Sequence, residues 1–203
     1  MMRNDFFELS KWISPLSRVL DLGCGDGDLI EYLINHKKVE SLGVEIDPEK
    51  INACVSKGIN VIEQNIDDGL TNFEKDSFDT VLLTQTLQAV HNPDFVLHEM
   101  LRVGKEGVVS FPNFGHWQVR CYLFFKGKMP VSKMMPNEWF NTPNIHFCTI
   151  KDFEKLCEDN HIRVLHRSIQ TSYKKTIASA LLNLLSKLSP NLFGTHAIYH
   201  VTK

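Results

Sequence analysis

A chain of 203 residues, 43% hydrophobic and 23% charged, is long enough to bury a sizeable core and reads as one domain. Twenty-two Lys and Arg against 24 Asp and Glu leave a formal charge of −2, which offers no electrostatic footprint for nucleic acid. No run of about 18 uncharged apolar residues exists to span a membrane, and Asp5, Glu8 and Lys11 interrupt any signal-peptide core, so the expected location is cytoplasmic.

In chain order, Phe6, Leu9, Trp12 and Ile13 lie at helical spacing until Ser14-Pro15 stops the helix. Arg18–Leu22 is a short apolar run that reads as a buried strand, followed by a helix over 29–35 and a second strand, Ser41–Ile46. Asp47 as N-cap and Pro48 at the first helical position open a helix to about Lys57, which Gly58 ends. Strands follow at 60–62, 78–83 and 107–111, with a helix at 93–102 between the last two. Residues 115–149 hold three prolines and many aromatics, and read as an irregular cover segment. Thr149 and Asp152 form a capping-box pattern for a helix to about Asn160. Strands at 162–169 and 197–202 enclose an apolar helix over 174–188. Alternating strands and helices imply an α/β fold, with a mostly parallel twisted sheet and an antiparallel C-terminal edge.

No metal is expected. The five cysteines, at 24, 54, 121, 148 and 157, include no C-x-x-C pair. His196 and His200 sit in a strand pattern, where four residues span roughly 13 Å, and His146 with Cys148 has no second pair nearby.

The sharpest chemical signal is Val19-Leu-Asp-Leu-Gly-Cys-Gly-Asp-Gly27. A glycine turn after the first strand lets a ligand approach the backbone at a helix N-terminus. The dinucleotide fingerprint needs glycine where Asp28 stands, and a P-loop would need G-K-[ST]. Asp21 and Asp26 would repel a phosphate. A cationic cofactor without phosphates suits them, and S-adenosylmethionine carries an ammonium and a sulfonium. Asp21 is placed to hold such a cation over Gly23 and Gly25. Glu45 ends the second strand, where a carboxylate accepts from ribose hydroxyls. Cys24 reads as a small residue that fits the tight loop rather than as a nucleophile.

These segments, with Arg18–Leu33, Gly43–Ile51, Thr84–Val90, Val109–Trp117 and Asn141–Ile150, resemble the MetW family of methionine biosynthesis proteins, from about residue 3 to the end. That family is similar to class I S-adenosylmethionine-dependent methyltransferases with a single Rossmann-like domain. The resemblance implies S-adenosylmethionine or S-adenosylhomocysteine as cofactor, and a homoserine O-acyltransferase as partner. It places Ile46 beside Glu45, and Asn65 and Ile66 at the adenine, where family members often have an acid. Asp67 is the alternative acid.

Strand ends would deliver Thr84, Gln85 and Thr86, and then Pro112, Asn113, Phe114 and His116, to the acceptor side. The [ND]-P-P-[YF] signature of amino-group methyltransferases is missing at 84–87. His91 and His116 are the nearby candidates for a general base. Trp117, Tyr122, Phe124, Phe125, Trp139 and Phe140 could roof a pocket, although such density is more common in plain core. Two functions follow: a methyltransferase-like protein that supports the acyltransferase, or an active methyltransferase on an unidentified small acceptor. The stripe Ile177, Leu181, Leu184 and Leu188 would pack on the domain's own core, or bind a second copy or the acyltransferase.

Overall fold

The computed structural model describes residues 5–132, 135–171 and 185–203. Seven strands form one sheet in the order β3-β2-β1-β4-β5-β7-β6. The strands are β1 Arg18–Leu22, β2 Glu40–Glu45, β3 Val61–Glu63, β4 Phe78–Thr84, β5 Gly104–Pro112, β6 Arg163–Gln170 and β7 His196–Thr202. The first five pair in parallel, and β7 is antiparallel to both β5 and β6. The expected α/β class and antiparallel edge are therefore found.

Alternation along the strands sends side chains to two faces. Val81, Leu83, Val109, Phe111 and Tyr199 join α4 (Pro93–Val103) and α6 (Ile150–Asp159) in one cluster. Leu82, Val108 and Ile198 join α1 (Asp5–Ser10) and α2 (Asp28–Lys37) in another. Helices on both faces explain why the central strands read as unbroken apolar runs. Helix α3 (Pro48–Ser56) begins at the Asp47 cap, whose side chain accepts from Glu49 N. The Thr149–Asp152 capping box is present in both directions at the start of α6.

Two expectations change. Residues 117–126, expected to be irregular, form helix α5 (Trp117–Lys126), capped by the His116 side chain and closed by Gly127 at φ 61°. Its sequence, WQVRCYLFFK, has no apolar stripe of helical period, so pattern reading passed over it. The aromatics of 115–149 are also not core: Tyr122, Phe124, Phe125, Trp139 and Phe140 are exposed. The helix expected over 174–188 lies outside the described residues up to 184; residues 185–188 are helical, and Leu188 is exposed.

A half-buried ion pair fastens α4 to the segment between β3 and β4. Arg102 donates to Glu99 and to the carbonyls of Leu70 and Phe73, while Glu99 Oε2 accepts from Leu70 N at 2.9 Å. The hydrogen bond from Arg102 holds the Glu99 carboxyl below its ordinary 4.5 against the opposing pull of burial. A carboxylate with a lowered folded-state pKa stabilises above its unfolded pKa, and loses that stabilisation as pH falls through the folded value. Glu99→Gln should therefore cost on the order of 1–3 kcal/mol at pH 7. The gap in melting temperature from wild type should close on acidification below about pH 4.5. Calorimetric melts of both proteins across that range check it.

Candidate functional site

The strand order turns around between β1 and β4, since β1 leads to β2 on one side and has β4 on the other. Ligands of such sheets lie beyond the carboxyl ends of the strands at that point. A cavity of about 590 Å³ lies there, within the usual range of roughly 300–1,000 Å³ for small-molecule pockets. Its wall includes Gly23, Cys24, Gly25, Glu45, Ile46, Asn65, Ile66 and Thr84. Eight of the residues singled out in the sequence are thus brought together from four strand ends.

Glu45 is the organiser of this wall. Its Oε2 accepts from Gly25 N at 2.9 Å, and its Oε1 accepts from Ile46 N at 2.8 Å and Asp47 N at 3.0 Å. A carboxylate has about four lone-pair sites. Three are used in fixing the turn, which leaves about one for a ligand hydroxyl.

Asp21 is elsewhere. It lies buried within β1, in register with Gly43 and Leu82, and is not part of the cavity wall. Its charge is felt indirectly: burial, and then Asp21, push the Cys24 thiol well above its ordinary value. The carboxylates on the wall are Asp26, Asp28, Glu45 and Asp67, against one cation, Lys50. Asp28 is paired with Lys57. The acidic balance suits a cationic ligand better than a phosphate.

At the far end, Asn65 caps a short 3₁₀ turn, and its Oδ1 accepts from Asp67 N at 3.1 Å. Asp67 accepts from His91 N, Asn92 N and His91 Nδ1. Burial would raise its carboxyl, but these hydrogen bonds hold it below the usual value. His91 therefore serves Asp67 from an exposed position, and does not line the cavity. His116 is not on the wall either. It is buried, its Nδ1 accepts from Gln118 N at 3.3 Å, and desolvation lowers its pKa.

Sequence reading missed some of the wall. Phe6, Gln64, Pro143 and Asn144 complete it, although the sequence singles out none of them as a site residue. Gln85 also lines the cavity and has φ 59°, a left-handed conformation that costs a non-glycine residue of order 1–3 kcal/mol. Its N–H donates to Ser110 O at 2.8 Å, which holds it there. Among the described residues, no three His, Cys, Asp or Glu side chains are grouped to hold a metal ion.

The two glycines of the turn differ in what they require. Gly23 has φ +72°, and a Cβ there would stand 2.7 Å from both Thr86 Cγ2 and Oγ1. Gly25 has φ +60°, with nothing within 4 Å. Gly25→Ala should cost only the backbone penalty, about 1–2 kcal/mol. Gly23→Ala should cost about 1–3 kcal/mol more. Adding Thr86→Ala to Gly23→Ala should recover most of that excess, as measured by urea denaturation.

Comparison with known proteins agrees with this geometry. The family described as "Methionine biosynthesis protein MetW" matches residues 3–201. A relative from Rhodopirellula baltica, "Bifunctional methionine biosynthesis protein MetXA/MetW", is 40% identical over 152 residues, covering 69% of this chain and 24% of that protein. A "Ubiquinone biosynthesis O-methyltransferase" from Hahella chejuensis is 28% identical over 147 residues, 68% of this chain and 61% of that one. The chain thus spans about a quarter and about three fifths of these relatives. Among solved structures, an S-adenosylmethionine-dependent methyltransferase from Mesorhizobium loti superposes with TM-score 0.69 at 15% identity, covering 98% of this chain and 97% of that one. Another, from Thermotoga maritima, superposes with TM-score 0.66 at 20% identity, covering 98% and 87%. These likenesses establish the class I methyltransferase fold. With a family match over nearly its whole length, the chain belongs to the MetW family of methionine biosynthesis proteins.

Proposed function

We propose that the chain binds S-adenosylmethionine or S-adenosylhomocysteine in the cavity beneath the glycine turn, and that it serves methionine biosynthesis as a methyltransferase-like partner of a homoserine O-acyltransferase. The observation that carries the cofactor reading is the wall itself: an open glycine turn, a carboxylate at the end of β2, and four acids against one lysine. The residues fit the group. Gly23 and Gly25 leave backbone room for the methionine end. Glu45 has about one acceptor site left for a ribose hydroxyl. Ile66 and the Asn65 amide stand at the adenine end. The cofactor would supply an activated methyl group on a sulfonium.

The fused relative supports a partner from methionine biosynthesis, because one polypeptide there is named as bifunctional MetXA/MetW. Residues 1–203 are read as one domain, since strands from both ends of the chain share one sheet. A cytoplasmic protein fits a chain in which no described helix is long and apolar enough to cross a membrane.

A second reading, an active methyltransferase on a small acceptor, draws support from the O-methyltransferase relative. It lacks a histidine base on the cavity wall, where Gln85, Thr86 and Asn144 present neutral groups instead. Transfer of labelled methyl from S-adenosylmethionine to a small molecule of the cell extract would favour this second reading.

Titration calorimetry should detect S-adenosylmethionine or S-adenosylhomocysteine binding and no tight NAD binding. Hydrogen bonds to charged groups contribute roughly 1.5–3 kcal/mol, so Glu45→Ala should weaken binding by about 10- to 100-fold. Unchanged affinity in that variant would remove Glu45 from the ligand contacts. Absence of binding in the wild type would overturn the cofactor reading.

A further inference from the structure

We propose that helix α5, with Trp139 and Phe140 of the loop that follows it, is the surface on which the homoserine O-acyltransferase docks. This rests on the partner reading above, and adds where that partner sits and what its surface must look like.

Large apolar side chains clustered on an exposed helix mark a surface that a partner covers. Within α5 only Val119 is buried, and every residue from Arg120 to Lys126 is exposed. Phe124 and Phe125 are 82% and 76% exposed, and pack only edge to face at 5.0 Å. Trp139 and Phe140 are 71% and 69% exposed, in a similar edge contact at 5.8 Å. Met129 and Pro130, just past α5, share a hollow with Trp139, which ties the two aromatic pairs to one region. Large aromatics with basic neighbours are the composition of binding hot spots.

Charge selects the occupant. Across residues 117–140 the sequence has one acid, Glu138, against the exposed Arg120, Lys126 and Lys128. A two-fold contact with a second copy through α5 would set these cations against one another. The complementary surface is an apolar face bordered by carboxylates on a different protein. The Rhodopirellula baltica relative is named a bifunctional MetXA/MetW protein, which supports, as the partner of this domain, a second protein of the same pathway, read above as the acyltransferase. The region also reaches the cofactor cavity: Asn144 borders both the Trp139 hollow and the cavity wall.

The test uses the full chain and the purified homoserine O-acyltransferase of the same organism, with affinity measured by titration calorimetry. Phe124→Asp with Phe125→Asp should weaken the complex by about 100-fold or more, with the variant's own melting temperature unchanged. Leu16→Asp, an equally exposed leucine in the turn before β1, should bind as wild type does. Lys126→Glu with Lys128→Glu should slow association, and flatten its dependence on salt. If wild type binds and the double aspartate variant binds equally well, the surface is wrong and the partner reading stands. If wild type does not bind, both fall. If the variant melts early by itself, or if it abolishes a dimer of the wild-type chain, then α5 is covered by its own chain or by a second copy, and the proposal is overturned.

Discussion

The site depends on one carboxylate that gathers three backbone amides. Glu45 ends β2 and accepts from Gly25, Ile46 and Asp47. The turn after β1 is pinned from the same strand, since Gly23 N and Cys24 N both donate to Val44 O. Backbone N–H groups left unpaired in a buried loop are costly. These bonds satisfy them while holding the glycines at positive φ. A side chain at Gly23 would collide with Thr86 from the end of β4. The carboxyl ends of β1, β2 and β4 therefore approach closely enough that glycine is required at position 23.

Packed against the turn, the thiols of Cys24 and Cys54 lie 3.9 Å apart, and Cys54 Sγ donates to Gly25 O at 3.2 Å. Burial raises both thiols, which keeps them protonated and unreactive. They are small, polarisable fillers under a loop whose backbone must approach closely. Gly27 shows how tight the layer is: a Cβ there would meet Ile59 at 2.6 Å and Cys54 at 3.0 Å.

On the other side of the sheet's centre, Asn113 does comparable work for the end of β5. Its Nδ2 donates to the carbonyls of Asn191 and Gly194, and its Oδ1 accepts from Gly115 N at 2.9 Å. This fully buried amide joins the start of the cover segment to the approach to β7. Polar groups placed so deeply are stable only when nearly every lone pair and proton is used. The antiparallel β7 then fits between β5 and β6, and Phe111, Phe153 and Tyr199 close the core with ring centroids 4.7–5.9 Å apart. The cover segment leaves this frame as α5, and its aromatics turn outward.

What the sequence by itself determined is whatever short-range chemistry encodes. The apolar runs at 18–22 and 78–83, the Asp47-Pro48 helix start, the Thr149–Asp152 box and the glycine turn each act within a few residues, and each is found. The acid at the end of β2 was legible because strand length fixes where a side chain meets the next loop. Three matters were decided only by tertiary structure. Asp21 reads as a ligand acid, but it lies buried within β1, while Asp26, Asp28, Glu45 and Asp67 are the carboxylates on the wall. His91 and His116 are near the site in sequence, but partners far along the chain or burial give them structural roles. The aromatic segment 117–140 has the composition of a core, yet Tyr122, Phe124, Phe125, Trp139 and Phe140 are exposed. Local patterns specify elements because their causes are local; which side chains share a cavity depends on how strands far apart in sequence are ordered in the sheet.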